Sequence, residues 1–226
     1  MTQSLKRSAL SRRATRRPSL PRLKPPQFGN APRQPVVYVA PARLKQSAVA
    51  WFFPAPEATD YRAERRCVLM AALLEERIRH RLREELGSAY APSAEFISYD
   101  AMPKCSYFMI YAEVDASRTA EALQALRKEF ESLRDKGFTE DEFLRAKTPF
   151  LRERIDHLRH NSYWGHTVLL DAQERPYRLE AALNRHDDSA AITRNDVQSL
   201  VGKYINRRKG TLFIAEPGRL RKWDGK

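Results

Sequence analysis

The residues of this chain that can do chemistry are few, and the most informative pair is Arg83 and Tyr90. They lie in Leu82-Arg83-Glu84-Glu85-Leu86-Gly87-Ser88-Ala89-Tyr90, where a helical pattern ends at a glycine and a tyrosine follows. A guanidinium is a fixed cation with a planar fork of donors, suited to a peptide carbonyl or carboxylate. A phenol can donate to a carbonyl oxygen, or to the oxyanion that forms during hydrolysis. Side by side at the lip of a cleft, the two can hold a peptide. The same spacing fits a plainer arrangement, with Arg83 paired to a glutamate on the helix surface and Tyr90 half-buried.

Metal and nucleophile chemistry find less support. The five histidines stand at 80, 157, 160, 166 and 186. Zinc peptidases present two histidines one helical turn apart with a glutamate between them, as HExxH or HxxEH. Neither string occurs. His157 and His160 are three residues apart, but Leu158 and Arg159 separate them, and a cation there opposes a metal. Glu153 and Asp156 leave room for a weak adventitious site, and structural or solvated histidines are the expectation. There is no GxSxG, Walker loop or GxGxxG. With 8 glycines, the chain has little from which to build phosphate-cradling loops. Cys67 and Cys105 belong to no CxxC pair and read as two small buried hydrophobes. A bridge between them is left open.

The elements that position these residues follow from periodicity. Val36–Val39 and Ala48–Phe53 read as strands. A helix from about Asp60 to Leu86 places Leu69, Leu73, Ile78 and Leu82 on one stripe, and Gly87 ends it. Strands Ala94–Tyr99 and Ser106–Val114 are expected to pair. A helix over about 117–136 stops at Gly137. Thr139 with Glu142 forms a capping box, with Phe138 and Phe143 as the staple, for a helix running past Pro149 to about His160. Helical segments cover roughly 162–172 and 178–184. Thr193 and Asp196 cap another helix, and Thr211–Ala215 is a last strand. Strands come in adjacent pairs, which predicts an α+β fold: a mainly antiparallel sheet with helices packed on one face.

Charge is unevenly placed. Of the 41 Lys and Arg, 11 fall within residues 1–56, which hold no acid. The other 30 face all 28 acidic residues, so the basic balance belongs to the start of the chain. Residues 1–35 read as a disordered Pro/Arg-rich arm, 36–217 as the folded domain and 218–226 as a tail. Specific nucleic-acid binding by the folded part is not expected. No apolar run has the length of a membrane span, and the basic start lacks a secretory core. Its composition is that of a linker or a transit-like segment. If complete, the chain is expected in the cytoplasm.

At the Arg83–Tyr90 cluster the sequence resembles the pitrilysin/insulinase family of zinc metallopeptidases, in particular the C-terminal, non-catalytic domain of PqqL-like zinc proteases. Arg83 to Tyr90 is similar to that family's LRE-x-LG-x-x-Y segment. Gly137-Phe138-Thr139 with Glu142, Ala146 and Lys147 resembles its G-x-T-x-x-E … A-K helix start. Asn161-Ser162-Tyr163-Trp164 resembles N-x-x-W, and Ile192-Thr193 with Asp196-Val197-Gln198 resembles T-x-x-D-V-Q. The resemblance covers roughly residues 35–217.

It implies a pitrilysin-like domain in a clamshell whose zinc sits in another domain, bound by HxxEH and a downstream glutamate. Arg83 and Tyr90 then map onto the Arg and Tyr that close over the substrate. No cofactor is expected in this chain, and zinc is expected in a partner domain. The expected partners are a zinc-bearing peptidase subunit or a second copy, with a peptide as substrate. Glu84, Asn161 and Trp164 are expected to hold the domain together. Relatives are often periplasmic. The alternative is a structural or oligomerisation module of the same fold without a peptidase role. An autonomous hydrolase would need a metal site or nucleophile that the sequence lacks.

Overall fold

The computed structural model describes residues 29–40, 45–57, 60–85, 87, 89–99, 102–170, 172–206 and 210–218. Much of the expected arm, and the end of the expected tail, lie outside them. Five strands form one mixed sheet: β1 Val36–Ala40, β2 Gln46–Pro54, β3 Ala89–Ile97, β4 Tyr107–Asp115 and β5 Thr211–Pro217. Their order across the sheet is β1-β5-β2-β4-β3. Only β1 with β5 runs parallel; the β5–β2, β2–β4 and β4–β3 pairs are antiparallel. The α+β class read from the strand order is what the chain adopts.

Alternation decides the layers. Along β2 and β4, every second residue is buried and its neighbours are half-exposed. The buried set includes Val49, Trp51, Phe53, Phe108, Ile110 and Val114, and Leu212 of β5 joins it. Three long helices cover that face: α1 Tyr61–Arg79, α2 Thr119–Lys136 and α3 Glu140–His157, joined by α6 Arg194–Tyr204. Their stripes supply Leu69, Leu73, Ile78, Leu126, Phe130 and Val197 to the same core. Trp51 meets Phe130 edge-on at 5.1 Å, the favoured aromatic geometry.

Several boundaries differ from expectation. The first long helix is α-helical only to Arg79 and continues as a π-helix from His80 to Glu85. Strand β3 starts at Ala89 rather than Ala94. Its start contains Pro92, which reads as a breaker because it has no N–H for a ladder. The strand accommodates it through a bulge between Tyr90 and Ser93, where Ala91 takes a left-handed φ of 41°. The helix expected at 178–184 is α4 Tyr177–Leu183, and a further short helix that was not expected, α5 Arg185–Ala190, follows it. Buried Arg65 holds them: its guanidinium donates to the Asp188 carboxylate and to the carbonyls of Ala181 and Asn184.

The two expected capping boxes form. Thr139 Oγ1 accepts from the Glu142 N–H, while Glu142 Oε2 accepts from the Thr139 N–H at 2.7 Å. Thr193 and Asp196 repeat the arrangement. Gln198 joins these helix starts, accepting from the Phe138 N–H at 3.1 Å and donating to the Leu133 carbonyl at 2.9 Å. Lys147 donates to the carbonyls of Ala190 and Ile192 at 2.6 and 2.7 Å. The motif residues Gly137, Glu142, Lys147 and Gln198 are therefore scaffold, stitching four helix ends together.

Candidate functional site

Arg83 and Tyr90 lie on opposite sides of the turn at Gly87, whose φ of 56° is the left-handed value glycine tolerates. Arg83 belongs to the π-helical turn His80–Glu85, a geometry common at functional sites. Tyr90 stands near the start of β3, opposite Glu113 of β4. Arg83 is exposed and Tyr90 is 63% exposed. Neither side chain makes a hydrogen bond or ion pair to another described residue. The half-buried Tyr90 of the plainer arrangement is therefore not what the chain adopts. Strand β3 is an edge of the sheet, so its outer backbone groups face no neighbouring strand.

The other motif residues divide. Trp164 does hold structure together: its Nε1–H donates to the Leu158 carbonyl at 2.8 Å, and it packs on a small cluster of Tyr163, Val168 and Ala182. Glu84 does not. It is exposed and its carboxylate lies 3.6 Å from His80 of its own helical turn. Asn161 is exposed as well.

The histidines are engaged in other ways than metal binding. His157 ends α3, with Nε2 3.5 Å from Glu153 and Nδ1 3.1 Å from the Arg185 Nη2. His186 contacts its neighbour Asp187. Among the described residues, no group of three or more His, Cys, Asp or Glu is arranged to hold a metal ion, so these residues do not fit a zinc site. Cys67 and Cys105 are both free; Cys67 is fully buried and Cys105 is half-buried. No helix among the described residues is long and apolar enough to cross a membrane.

Residues 3–150 match the profile of the peptidase M16 inactive domain. The chain belongs to that family. The resemblance to that family is thereby borne out, and the match includes the motifs at Arg83–Tyr90 and Gly137–Lys147. Structures of the same fold agree. A protease from Helicobacter pylori superposes with a TM-score of 0.71 at 17% identity, over 85% of this chain and 46% of that one. The inactive peptidase domain from Bordetella parapertussis gives 0.67 at 20% identity, over 82% of this chain and 98% of that one. The periplasmic protease PqqL from Escherichia coli gives 0.66 at 14% identity, over 84% of this chain and 21% of that one. At these identities the likeness is one of fold. The chain spans less than half the length of the Helicobacter and Escherichia proteins. No curated protein sequence matches it significantly.

One polar concentration escaped the sequence reading. Arg65 and Arg154 sit on the buried stripes of α1 and α3, each 8% exposed. The signal was there: Phe143, Ala146, Phe150 and Arg154 share one helical stripe, so an arginine occupies a core position.

Proposed function

We propose that this inactive-domain chain is a non-catalytic, substrate-supporting unit of a zinc metalloendopeptidase, in which Arg83 and Tyr90 engage the peptide and another domain supplies the zinc. The observation that carries the reading is the state of the pair. Both side chains are exposed beside the Gly87 turn, and neither is committed to another described residue. An extended peptide can pair its backbone with a free sheet edge such as β3, beside which a guanidinium and a phenol can reach its carbonyls. The family resemblance supports the same assignment. The zinc-bearing domain is a separate subunit or another part of a longer polypeptide.

Peptide hydrolysis, with metal analysis, tests this on the chain alone and mixed with a zinc-bearing M16 domain. Activity is expected only in the mixture. Arg83→Ala and Tyr90→Phe are each expected to lower it by about 10²-fold, the usual scale for losing one transition-state donor. Zinc-dependent activity of the chain alone, or variants as active as the parent in the mixture, would overturn the proposal.

A second reading, self-association through the sheet, has its own observation. The sheet face away from the helices carries Phe52, which meets Tyr107 and Phe213 edge-on at 5.5 Å each. On the edge strand β1, Tyr38 is 64% exposed. Sedimentation of the purified chain separates the readings: a concentration-independent monomer removes this one.

A further inference from the structure

Between α1, α3, the π-helix Tyr163–Leu169 and α4 lies a cavity of about 350 Å³. Four arginines line it, Arg65, Arg154, Arg178 and Arg185, with one acid, Glu64. Arg65 is engaged with Asp188 and two backbone carbonyls, and Arg178 donates to the Thr167 carbonyl at 2.9 Å. Arg154 and Arg185 have no carboxylate partner among the described residues. Arg154 is 8% exposed, its Nε–H is buried without an acceptor, and its guanidinium lies 4.4 Å from the centre of the Phe150 ring. Arg185 lies over Tyr163 at 4.8 Å and donates to His157 Nδ1, while its own Nε–H is buried without an acceptor.

A guanidinium taken out of water without a counter-charge is costly, and folds rarely keep one there for stability alone. Burial, with the positive field of Arg185 behind it, lowers the Arg154 pKa to about 10 against the opposing pull of Glu153 and Glu64, which leaves it charged at neutral pH. Neither acid is hydrogen-bonded to Arg154 or Arg185, so an anion in the cavity would have both guanidiniums to itself.

We propose that this cavity binds a phosphate-type oxyanion through Arg154 and Arg185. Two unpaired guanidiniums match the charge of a phosphate monoester, about −1.5 to −2 at neutral pH, whereas a single carboxylate would leave one of them uncompensated. Planar N–H forks suit its tetrahedral oxygens. The volume sits at the small end of ligand pockets, roughly 300–1,000 Å³, which favours a small anion. Tyr61 and Tyr177 add further aromatic wall. The site involves neither Arg83 nor Tyr90 and stands independently of the peptide-supporting role.

Thermal unfolding of the full chain at constant ionic strength tests it, with inorganic phosphate, glycerol 3-phosphate and acetate as probes. Either phosphate is expected to raise Tm by about 4 °C at ~10-fold excess over Kd, and acetate to leave it unchanged. Arg154→Met is expected to melt no lower than the parent without anion and to lose the phosphate response. Should that variant not fold, Arg185→Gln at the half-exposed rim carries the same expectation. A larger shift with glycerol 3-phosphate assigns the site to an organic phosphate; equal shifts assign it to the free ion. A parent that ignores phosphate, a shift that acetate reproduces, or folded variants that respond like the parent would each overturn the proposal.

Discussion

The side-chain oxygen of Gln198 lies 2.7 Å from where a Cβ on Gly137 would stand. Gly137 also has a φ of 73°, so two independent constraints exclude a side chain there. Gln198 uses the space to reach the Phe138 N–H, left without an acceptor by the break between α2 and α3, and the Leu133 carbonyl, which also accepts from the Gly137 N–H. Gly137→Ala is expected to cost about 3 kcal/mol, from left-handed strain plus displacement of the Gln198 amide. Gln198→Ala is expected to cost about 2 kcal/mol, because the Phe138 N–H of a buried residue loses its acceptor and the Leu133 carbonyl is left with the Gly137 N–H alone. Urea unfolding of both variants measures this, and losses below half these values would remove the bridge from the account.

The α3 capping box should make stability pH-dependent. Burial alone would raise the Glu142 carboxyl, but the Thr139 N–H and hydroxyl and the Arg77 guanidinium outweigh it, leaving the net value below the ordinary glutamate range. The Arg77 Nε–H donates to Glu142 at 2.7 Å and ties α1 to α3. A carboxyl depressed in the folded state contributes stability that is full above the unfolded glutamate pKa of about 4.3. That contribution is lost as pH falls through the lower folded value. Asp196, lowered by hydrogen bonds from the Thr193 hydroxyl and backbone, acts in the same direction. Glu142→Gln should therefore be clearly less stable than the parent at neutral pH, with the gap closing in acid. A gap constant with pH would show that Glu142 contributes only packing.

Arg83 and Tyr90 should separate stability from function. With no described partner and little burial, Arg83→Ala and Tyr90→Phe are expected to shift unfolding by no more than about 0.5 kcal/mol. A larger loss in melting or urea curves would mean that the pair supports the fold, and would return the plainer reading of the helix end.

Cys67 should be chemically silent. Burial pushes its thiol up to about 12, with Glu64 and Asp60 adding to the rise, so the thiolate is scarce at neutral pH. A thiol reagent should label at most Cys105 in the native chain and both cysteines in denaturant. Native labelling of Cys67 at the rate of an exposed thiol would mean that α1 opens readily from the sheet.

Local signals in the chain were read correctly where short-range physics decides them. The capping boxes at Thr139 and Thr193 are closed by residues three positions apart, so four consecutive residues carry the whole interaction. The stripe of Leu69, Leu73, Ile78 and Leu82 reflects helical geometry, and Gly87 and Gly137 mark positive φ. The start of β3, expected at Ala94, misled for the opposite reason. Pro92 is a breaker by itself, but the β4 ladder and a bulge at Ala91 carry the strand through it.

By itself the sequence determined the class of fold, the helix starts and the family, because each rests on spacing along one element or on motifs in order. It also singled out Arg83 and Tyr90 as candidates for peptide contact. Tertiary structure alone decided what those residues have for company. Only packing leaves the Arg83 and Tyr90 side chains exposed without a described partner, and only packing turns Gly137 and Gln198, 61 residues apart, into one joint. It also brings buried Arg154 and half-exposed Arg185 to one cavity with no carboxylate hydrogen-bonded to either among the described residues. A charge is costly or harmless according to what surrounds it, and its surroundings come from distant parts of the chain.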